Sequence, residues 1–314
     1  MVRSPPARSH VGGRSLRHSL EYGSFRLLRG FWGLLPETLV VRLAALAGTF
    51  AGTVLRIRRR DVDAHLERAF PDRSRSWRNR VARASYAHLG REAATLFRLP
   101  RWSRERLLER VTFEGLDDVR RAMELGRGVV LLTGHLGNWE LAGAALAARG
   151  IPLDVVGKGM ANRSFEADLF ETRERLGMRV IEMTRAPKGV LRALGEGRVV
   201  AIVGDQNAHR GGVFVPFFGL DASTARGPAL FAIRTGAPTF YGAAVREPGR
   251  VGRYLVRLRE MPFEPTGDLE MDVQALLTAY LGALEESVKA APEQYFWQHK
   301  RWKTRPSEEQ RSAG

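Results

Sequence analysis

Apolar positions along the chain change their rhythm near Gly115. Before it they recur at helical intervals: Leu39, Leu43, Leu46, Phe50 and Val54 form one line, with Arg42, Thr49, Thr53 and Arg56 largely off it, which predicts an amphipathic helix. Pro71 and Asp72 break the pattern after "HLERAFPDRS", and the spacing resumes as a helix from about Ser76 to Phe97, a turn at Pro100 and another short helix.

Beyond Gly115 the apolar residues come in short β-rich runs separated by helical segments. Strands are predicted at "VVLLT" (Val129 to Thr133), "LDVVG" (Leu153 to Gly157), "RVIEM" (Arg179 to Met183), "VVAIV" (Val199 to Val203), "TFYGAAV" (Thr239 to Val245) and "YLVRLRE" (Tyr254 to Glu260). Helices are predicted between them at about Asn138 to Arg149, Ser164 to Leu176, Lys188 to Glu196 and Gly227 to Thr235, with a closing helix at Leu269 to Ala290. This alternation indicates an α/β fold: a mixed sheet, parallel in its first part and flanked by helices. The division it suggests is a disordered basic tail at 1–20, an amphipathic membrane-associated helical region at 21–75, the α/β domain at 76–306 and a short tail at 307–314.

Two features qualify the N-terminal part. The first 20 residues are basic and rich in Ser, Pro and Gly, with no continuous apolar core and no small-residue cleavage site, so they do not read as a signal peptide. The uncharged run from Leu43 to Leu55 has 13 residues, short of the roughly 20 that span a bilayer. The amphipathic helix therefore either packs on the protein's own core or lies in a membrane interface. The clusters Arg26/Arg29 and Arg56/Arg58/Arg59/Arg60 at its ends favour the interface, since cations beside an apolar face suit anionic lipid.

Charge adds to this picture. Lys and Arg number 50 against 34 Asp and Glu, a net charge of +16, which favours anionic partners such as nucleic acid, acidic headgroups or an acidic carrier protein. No helix-turn-helix, zinc-finger or RNA-binding signature is present to support nucleic acid. The chain has no cysteine, which excludes disulfides, thiolate metal sites and a cysteine nucleophile.

The candidate chemistry sits in "LLTGHLGNWELAG", Leu131 to Gly143. Within one helix, His135 and Glu140 would point about 140° apart, so they can meet only if His135 lies in a loop at the carboxyl end of the preceding strand, where α/β sites collect. Gly134 and Gly137 supply such a loop and Asn138 a helix N-cap, placing Glu140 in the first turn. A carboxylate there can hold one imidazole nitrogen and leave the other as a base. The bland alternative is a capped strand-to-helix connection with Trp139 as a core aromatic. A zinc site is disfavoured because no second histidine lies nearby in sequence.

The blocks "FWGLLPE", "HLERAFPD", "GRGVVLLTGHLGNWELAG", "LGMRVI", "VVAIVGDQ", "GGVFVPFFG", "FAIRTGAP" and "PEQYFWQHKRWKTRP" make the chain resemble, from about Phe25 to Pro306, the late acyltransferases of lipid A synthesis, the lauroyl- and myristoyltransferase family with its His, four residues, Asp-or-Glu motif. The resemblance implies a glycerol-phosphate acyltransferase-like fold. It implies transfer of a fatty acyl group from acyl carrier protein to a glycolipid hydroxyl, without a metal or other cofactor, at the cytoplasmic face of the inner membrane. Partners would be the acidic carrier protein, anionic membrane lipids and a phosphorylated glycolipid acceptor, with no nucleic acid.

On this reading His135 is the general base and Glu140 its orienter. Arg173 matches an arginine the family uses and would stabilise the oxyanion or a phosphate, with Arg175 as the alternative. Asp205 and Gln206 match the family's Asp-Gln and would position the acceptor. Asn138 and Lys158 are further candidates for substrate contact.

Two positions depart from the pattern: Asn207, where the family often has another acid, and His65, where it usually has Asn. "GGVFVPFF" reads either as core strand or as a wall of an acyl channel, with the resemblance favouring the wall. "HKRWKTR", His299 to Arg305, interleaves cations with Trp302 in a way that suits a headgroup zone or single-stranded nucleic acid. The mycobacterial phosphatidylinositol mannoside acyltransferases share the His-x4-acid core and define the nearest rival acceptor. A non-catalytic basic membrane or nucleic-acid binding protein is the remote one.

Overall fold

Strands that are apolar on both faces must be covered on both. The computed structural model describes residues 12–250 and 252–306, and its main sheet is covered in that way. In chain order the elements are α1 (Gly12–Leu34), α2 (Glu37–Thr53), α3 (Arg59–Ala69), α4 (Arg75–Arg98), α5 (Arg104–Arg110), β1 (Val111–Glu114), α6 (Leu116–Glu124), β2 (Val129–Gly137), α7 (Trp139–Ala148), β3 (Leu153–Gly157), α8 (Arg163–Arg175), β4 (Met178–Glu182), α9 (Ala186–Gly195), β5 (Val199–Val203), β6 (Val213–Phe217), β7 (Leu220–Thr224), α10 (Gly227–Thr235), β8 (Thr239–Arg246), β9 (Tyr254–Glu260) and α11 (Leu269–Ala290).

Seven strands form the main sheet in the order β1-β9-β8-β2-β5-β3-β4. Neighbours are parallel except β8 and β9, so the sheet is mixed, as the sequence indicates. Alternate residues of each strand serve opposite layers. Val129 and Leu131 pack against α5, α6 and α7, whereas Val130 and Leu132 pack against α9, α10 and α11.

The chain leaves β2 through α7 to reach β3 and β4, then returns through α9 to insert β5 between β2 and β3. The loops following β2 and β5 therefore converge at a switch in strand order, the place where open α/β sheets carry their sites.

The N-terminal region corrects one expectation and sharpens another. Residues 12–20 belong to α1 instead of a disordered tail; residues 1–11 and 307–314 lie outside the described residues. Helix α1 is held by aromatic contacts of Phe25 with Phe97 and Phe165 and by an Arg29–Asp168 ion pair at 2.6 Å.

Helix α2 packs on α4 with Val40, Val41 and Ala44 buried, at a seam so close that a Cβ on Gly48 would fall 2.1 Å from the Tyr86 carbonyl oxygen. The predicted apolar line is the opposite face: Leu46 is 65% exposed, and Leu39, Leu43, Phe50 and Val54 are also exposed. The helix thus has a core face and a second apolar face that nothing in the described structure covers. No helix among the described residues is long and apolar enough to cross a membrane.

"GGVFVPFFG" forms β6 and part of the turn to β7, in a separate two-stranded antiparallel sheet. Val215 and Phe217 are buried in the core beside α11, which makes this segment core packing and not a channel wall.

Candidate active site

Strand β2 keeps pairing with β8 past Thr133, but its register shifts between Thr133 and Gly137. The irregularity turns His135 toward the end of β5. Two glycines permit it: a Cβ on Gly134 would meet Leu284 at 2.7 Å, and one on Gly137, whose φ is +64°, would meet the Ala244 carbonyl oxygen at 1.7 Å.

Asp205, two residues past β5, is 2% exposed and grips His135 twice. Its Oδ2 accepts the His135 backbone N–H at 2.9 Å and its Oδ1 accepts the ring Nδ1–H at 2.6 Å. A carboxylate only accepts, so Nδ1 carries the ring proton and Nε2 is left as the acceptor. The Gln206 amide donates to Nε2 at 3.1 Å. The Trp139 ring stands edge-on to the imidazole with centroids 4.6 Å apart.

The electrostatics follow from this pairing. Burial alone would push the His135 pKa down; the Asp205 charge and hydrogen bond outweigh it, Glu140 adds to them at longer range, and the net shift is upward from 6.5. Burial would likewise raise Asp205, but the charge and hydrogen bonds of His135, helped by Arg301, hold it below its ordinary value of 3.8. The arrangement is a neutral imidazole able to take a proton at Nε2, with a charge waiting to stabilise the imidazolium.

Glu140 is not the carboxylate that holds His135. It lies in the first turn of α7 as the spacing predicts, but it is committed to Arg173 of α8, which donates from Nε at 2.9 Å and also from Nη2 in a forked pair. Both side chains are about nine-tenths buried, at 10% and 12% exposure. Two of Arg173's three nitrogens are therefore occupied by the pair.

Asn138 caps α7 by accepting the Leu141 N–H and donates its amide to buried Glu92 at 2.7 Å. Its side chain is thus consumed by structure instead of facing a substrate. Lys158 and Arg175 are exposed, in the loop after β3 and at the end of α8, and neither is drawn into the His135 cluster.

Beside this cluster, on the α7 side of the sheet, lies an apolar cavity lined by Trp139, Ala142, Gly143, Leu146, Met178 and Gly242 among others. Small residues open it: a Cβ on Gly143 would sit 2.8 Å from Met178 Sδ. A second apolar cavity of about 240 Å³ lies between α1, α4 and α8 and includes Phe25, Phe97 and Phe165. Glu140, Arg173 and Met178 line both, so the ion pair stands at the boundary between two greasy spaces.

The C-terminal segment is divided between core and surface. Within "HKRWKTR", Arg301 and Trp302 are 1% and 4% exposed, and Arg301 donates to the Ser223 carbonyl and to Thr224 Oγ1, while Lys300, Lys303 and Arg305 are exposed. The segment clamps the site, with Phe296 N–H bonded to the His135 carbonyl at 3.0 Å and the Asn207 N–H donating to His299 Nε2 at 3.0 Å. Burial pushes His299 down to about 4, which suits that accepting role. Asn207 also donates to Thr304 Oγ1, so it ties the loop after β5 to the clamp. His65, likewise buried, donates from Nδ1 to the Trp297 carbonyl at 2.8 Å. The one available signal was the aromatic run Tyr295, Phe296, Trp297, too apolar for a solvated tail.

Comparison with known proteins agrees with this architecture. Residues 14–304 match the family model described as bacterial lipid A biosynthesis acyltransferase. The chain is 27% identical to the lipid A biosynthesis palmitoleoyltransferase of Escherichia coli over 279 residues, 88% of each chain, and 27% identical to the lauroyltransferase of the same organism over 276 residues, 87% of this chain and 88% of the other. It is 37% identical to the phosphatidylinositol mannoside acyltransferase of Mycolicibacterium smegmatis over 165 residues, 51% of this chain and 53% of that one; that match spans about half of the relative's length. A match along nearly the whole chain, with a buried His–Asp pair beside apolar cavities, places this protein in the bacterial lipid A biosynthesis acyltransferase family.

Proposed function

We propose that the protein transfers a fatty acyl group from the thioester of acyl carrier protein to a hydroxyl of a phosphorylated glycolipid, a lipid A precursor or a close analogue. The observation that carries the chemistry is His135 held by Asp205 with Nε2 unprotonated, one aromatic ring away from an apolar cavity.

In this reading the acceptor hydroxyl displaces the Gln206 amide from Nε2. His135 takes the hydroxyl proton as the oxygen bonds to the thioester carbon, and Asp205 stabilises the imidazolium. The tetrahedral intermediate collapses with cleavage of the C–S bond, and the imidazolium returns its proton to the departing thiolate, leaving an ester and a thiol. The acyl chain enters the apolar space under α7, which is about 50 Å³ and widens to admit it. The Glu140–Arg173 pair fixes the cavity mouth, and Arg173's remaining nitrogen is the donor available to the oxyanion.

The outer apolar face of α2, with Leu20, Leu27 and Phe31 of α1 also exposed, supports docking on the cytoplasmic face of the inner membrane as a peripheral protein. The net charge of +16 suits both anionic lipid and an acidic donor protein.

The test is to incubate the purified chain in lipid with labelled acyl carrier proteins of several chain lengths and a tetra-acylated lipid A precursor. Ester formation that depends on His135 supports the reading; none with any donor removes it. The 37% identity to a mycobacterial relative over 165 residues, half of this chain, favours a second acceptor class, phosphatidylinositol mannosides. Mass spectrometry of host lipids after deletion of the protein separates the two acceptors.

A further inference from the structure

A second site lies on the same sheet edge as His135 but shares no wall residue with the apolar cavities. It is a cleft of about 750 Å³ between α2, α4, the turn after β8 and residues 293–294. Arg246, at the end of β8, lines it, and β8 is the strand paired with β2.

The cleft's charges are not balanced. Arg246 is neutralised by buried Glu92 at 3.0 Å and Arg250 sits 3.7 Å from Glu247. Arg42 and Arg91 also line the cleft, and neither guanidinium has an ion pair or side-chain hydrogen bond among the described residues. Glu293 is the one remaining carboxylate in the wall. Arg91 is half-buried, and burial together with the nearby Arg246 charge works against its protonated form. Deeper in the wall, His88 is 6% exposed, with Glu92 3.5 Å from its Nδ1 and the Gly137 backbone within reach of the ring. Glu92 and Glu293 act on Arg91 through space but neither bonds its guanidinium, so its N–H groups are left for a ligand that accepts hydrogen bonds.

The rim identifies the ligand. Leu46, which also lines the cleft, belongs to the exposed apolar line of α2, so the cationic wall meets an apolar surface at one edge. That combination fits an amphipath carrying an anionic phosphate. An arginine fork matches phosphate oxygens, and cations beside an apolar surface suit an anionic lipid.

We propose that this cleft seats the phosphate headgroup of one anionic membrane phospholipid, with Arg42 and Arg91 on the phosphate and Leu46 against the start of its acyl chains. The site rests on reading the outer face of α2 as membrane-facing. A lipid held there would fix how the protein sits on the bilayer and present the His135 edge of the sheet to the lipid surface.

The experiment is calorimetric titration of the full chain with dihexanoyl-phosphatidylglycerol below its micellar concentration. Dihexanoyl-phosphatidylcholine and inorganic phosphate are titrated alongside. Wild type binds the phosphatidylglycerol saturably and at least about tenfold tighter than either control. Arg91→Gln weakens it about tenfold, Arg42→Gln somewhat less, and Arg91→Lys retains part of the affinity. Thermal unfolding checks the fold of each variant; if Arg91→Gln does not fold, Arg42→Gln and Arg91→Lys carry the test.

Equal binding of phosphatidylcholine, equally tight binding of inorganic phosphate, or variants that bind as wild type overturn the proposal. His135→Ala binds as wild type, because no acyl transfer enters the readout. Failure here therefore leaves the catalytic reading intact, and failure of catalysis leaves this site intact.

Discussion

Two carboxylates compete for the role of His135's partner, and the structure assigns them different work that substitution can separate. In Asp205→Asn, an uncharged amide faces Nδ1, and the residue can hold the backbone N–H or the ring but no longer supplies a charge to an imidazolium. Proper general-base alignment contributes about 10² to 10⁴ in rate, and the loss of kcat falls in that range. Asp205 is also what holds the His135 pKa above 6.5, so the limb of the pH–rate profile that reports His135 moves to lower pH.

Glu140→Gln leaves the imidazole pair intact but strands Arg173, whose side chain is 12% exposed. Leaving one partner of a buried pair unpaired costs about 3–5 kcal/mol, a fall in Tm of roughly 5–8 °C for a chain of 314 residues. The pH limb stays near its wild-type position, and Arg173→Met added to Glu140→Gln recovers part of the stability. The assay is a pH series of acyl transfer with a matched thermal melt for each variant. A Glu140→Gln protein that melts like wild type and carries the pH shift, beside an Asp205→Asn protein that transfers normally, refutes the assignment.

Other consequences follow from the same geometry. Wild-type transfer rises with pH through a midpoint above 6.5, since the base must be neutral and its pKa is raised; a flat profile between pH 6 and 8 in a chemistry-limited assay contradicts this. His299 has its folded pKa depressed to about 4, so its contribution to stability is complete above its unfolded value near 6.5 and is lost as pH falls toward 4; His299→Gln flattens the acid limb of a Tm–pH curve over that window. Gly143→Ala pushes Met178 into the cavity and shifts kcat/KM toward shorter acyl donors by about tenfold, measured as a ratio within one competition mixture. Leu46→Asp with Phe50→Asp, both on exposed positions, leaves Tm unchanged but weakens flotation with anionic vesicles by at least about 3 kcal/mol, roughly a hundredfold.

The strands that build the site were legible because each is a short apolar run bounded by turn residues. Leu153–Gly157, Val199–Val203 and Tyr254–Glu260 fall where the pattern puts them. Val111–Glu114 went unread because four residues offer too little periodicity. The helical spacing of α2 was legible from its outer line, yet its buried face was not, since Val40, Val41, Ala44 and Gly52 look like filler in a helix already amphipathic by its other residues.

His135 stood out because its glycines and helix cap are local. Its pairing did not: Asp205, expected to position the acceptor, is 70 residues away in sequence, and only the insertion of β5 beside β2 makes it the holder of the imidazole. Glu140 was the nearer carboxylate in sequence, but an arginine on α8 claims it. Arg301 defeats the expectation for the same reason, because a cation's burial is decided by the carbonyl it reaches across the fold, 78 residues away at Ser223.

The central claim is that His135 Nε2 takes the acceptor's proton. Single-turnover transfer from a labelled acyl thioester, measured with wild type and a His135→Ala variant of matched Tm, tests it most directly. The account predicts that the variant retains donor binding but loses ester formation by about 10² or more. Ester formation by the folded variant at the wild-type rate contradicts it.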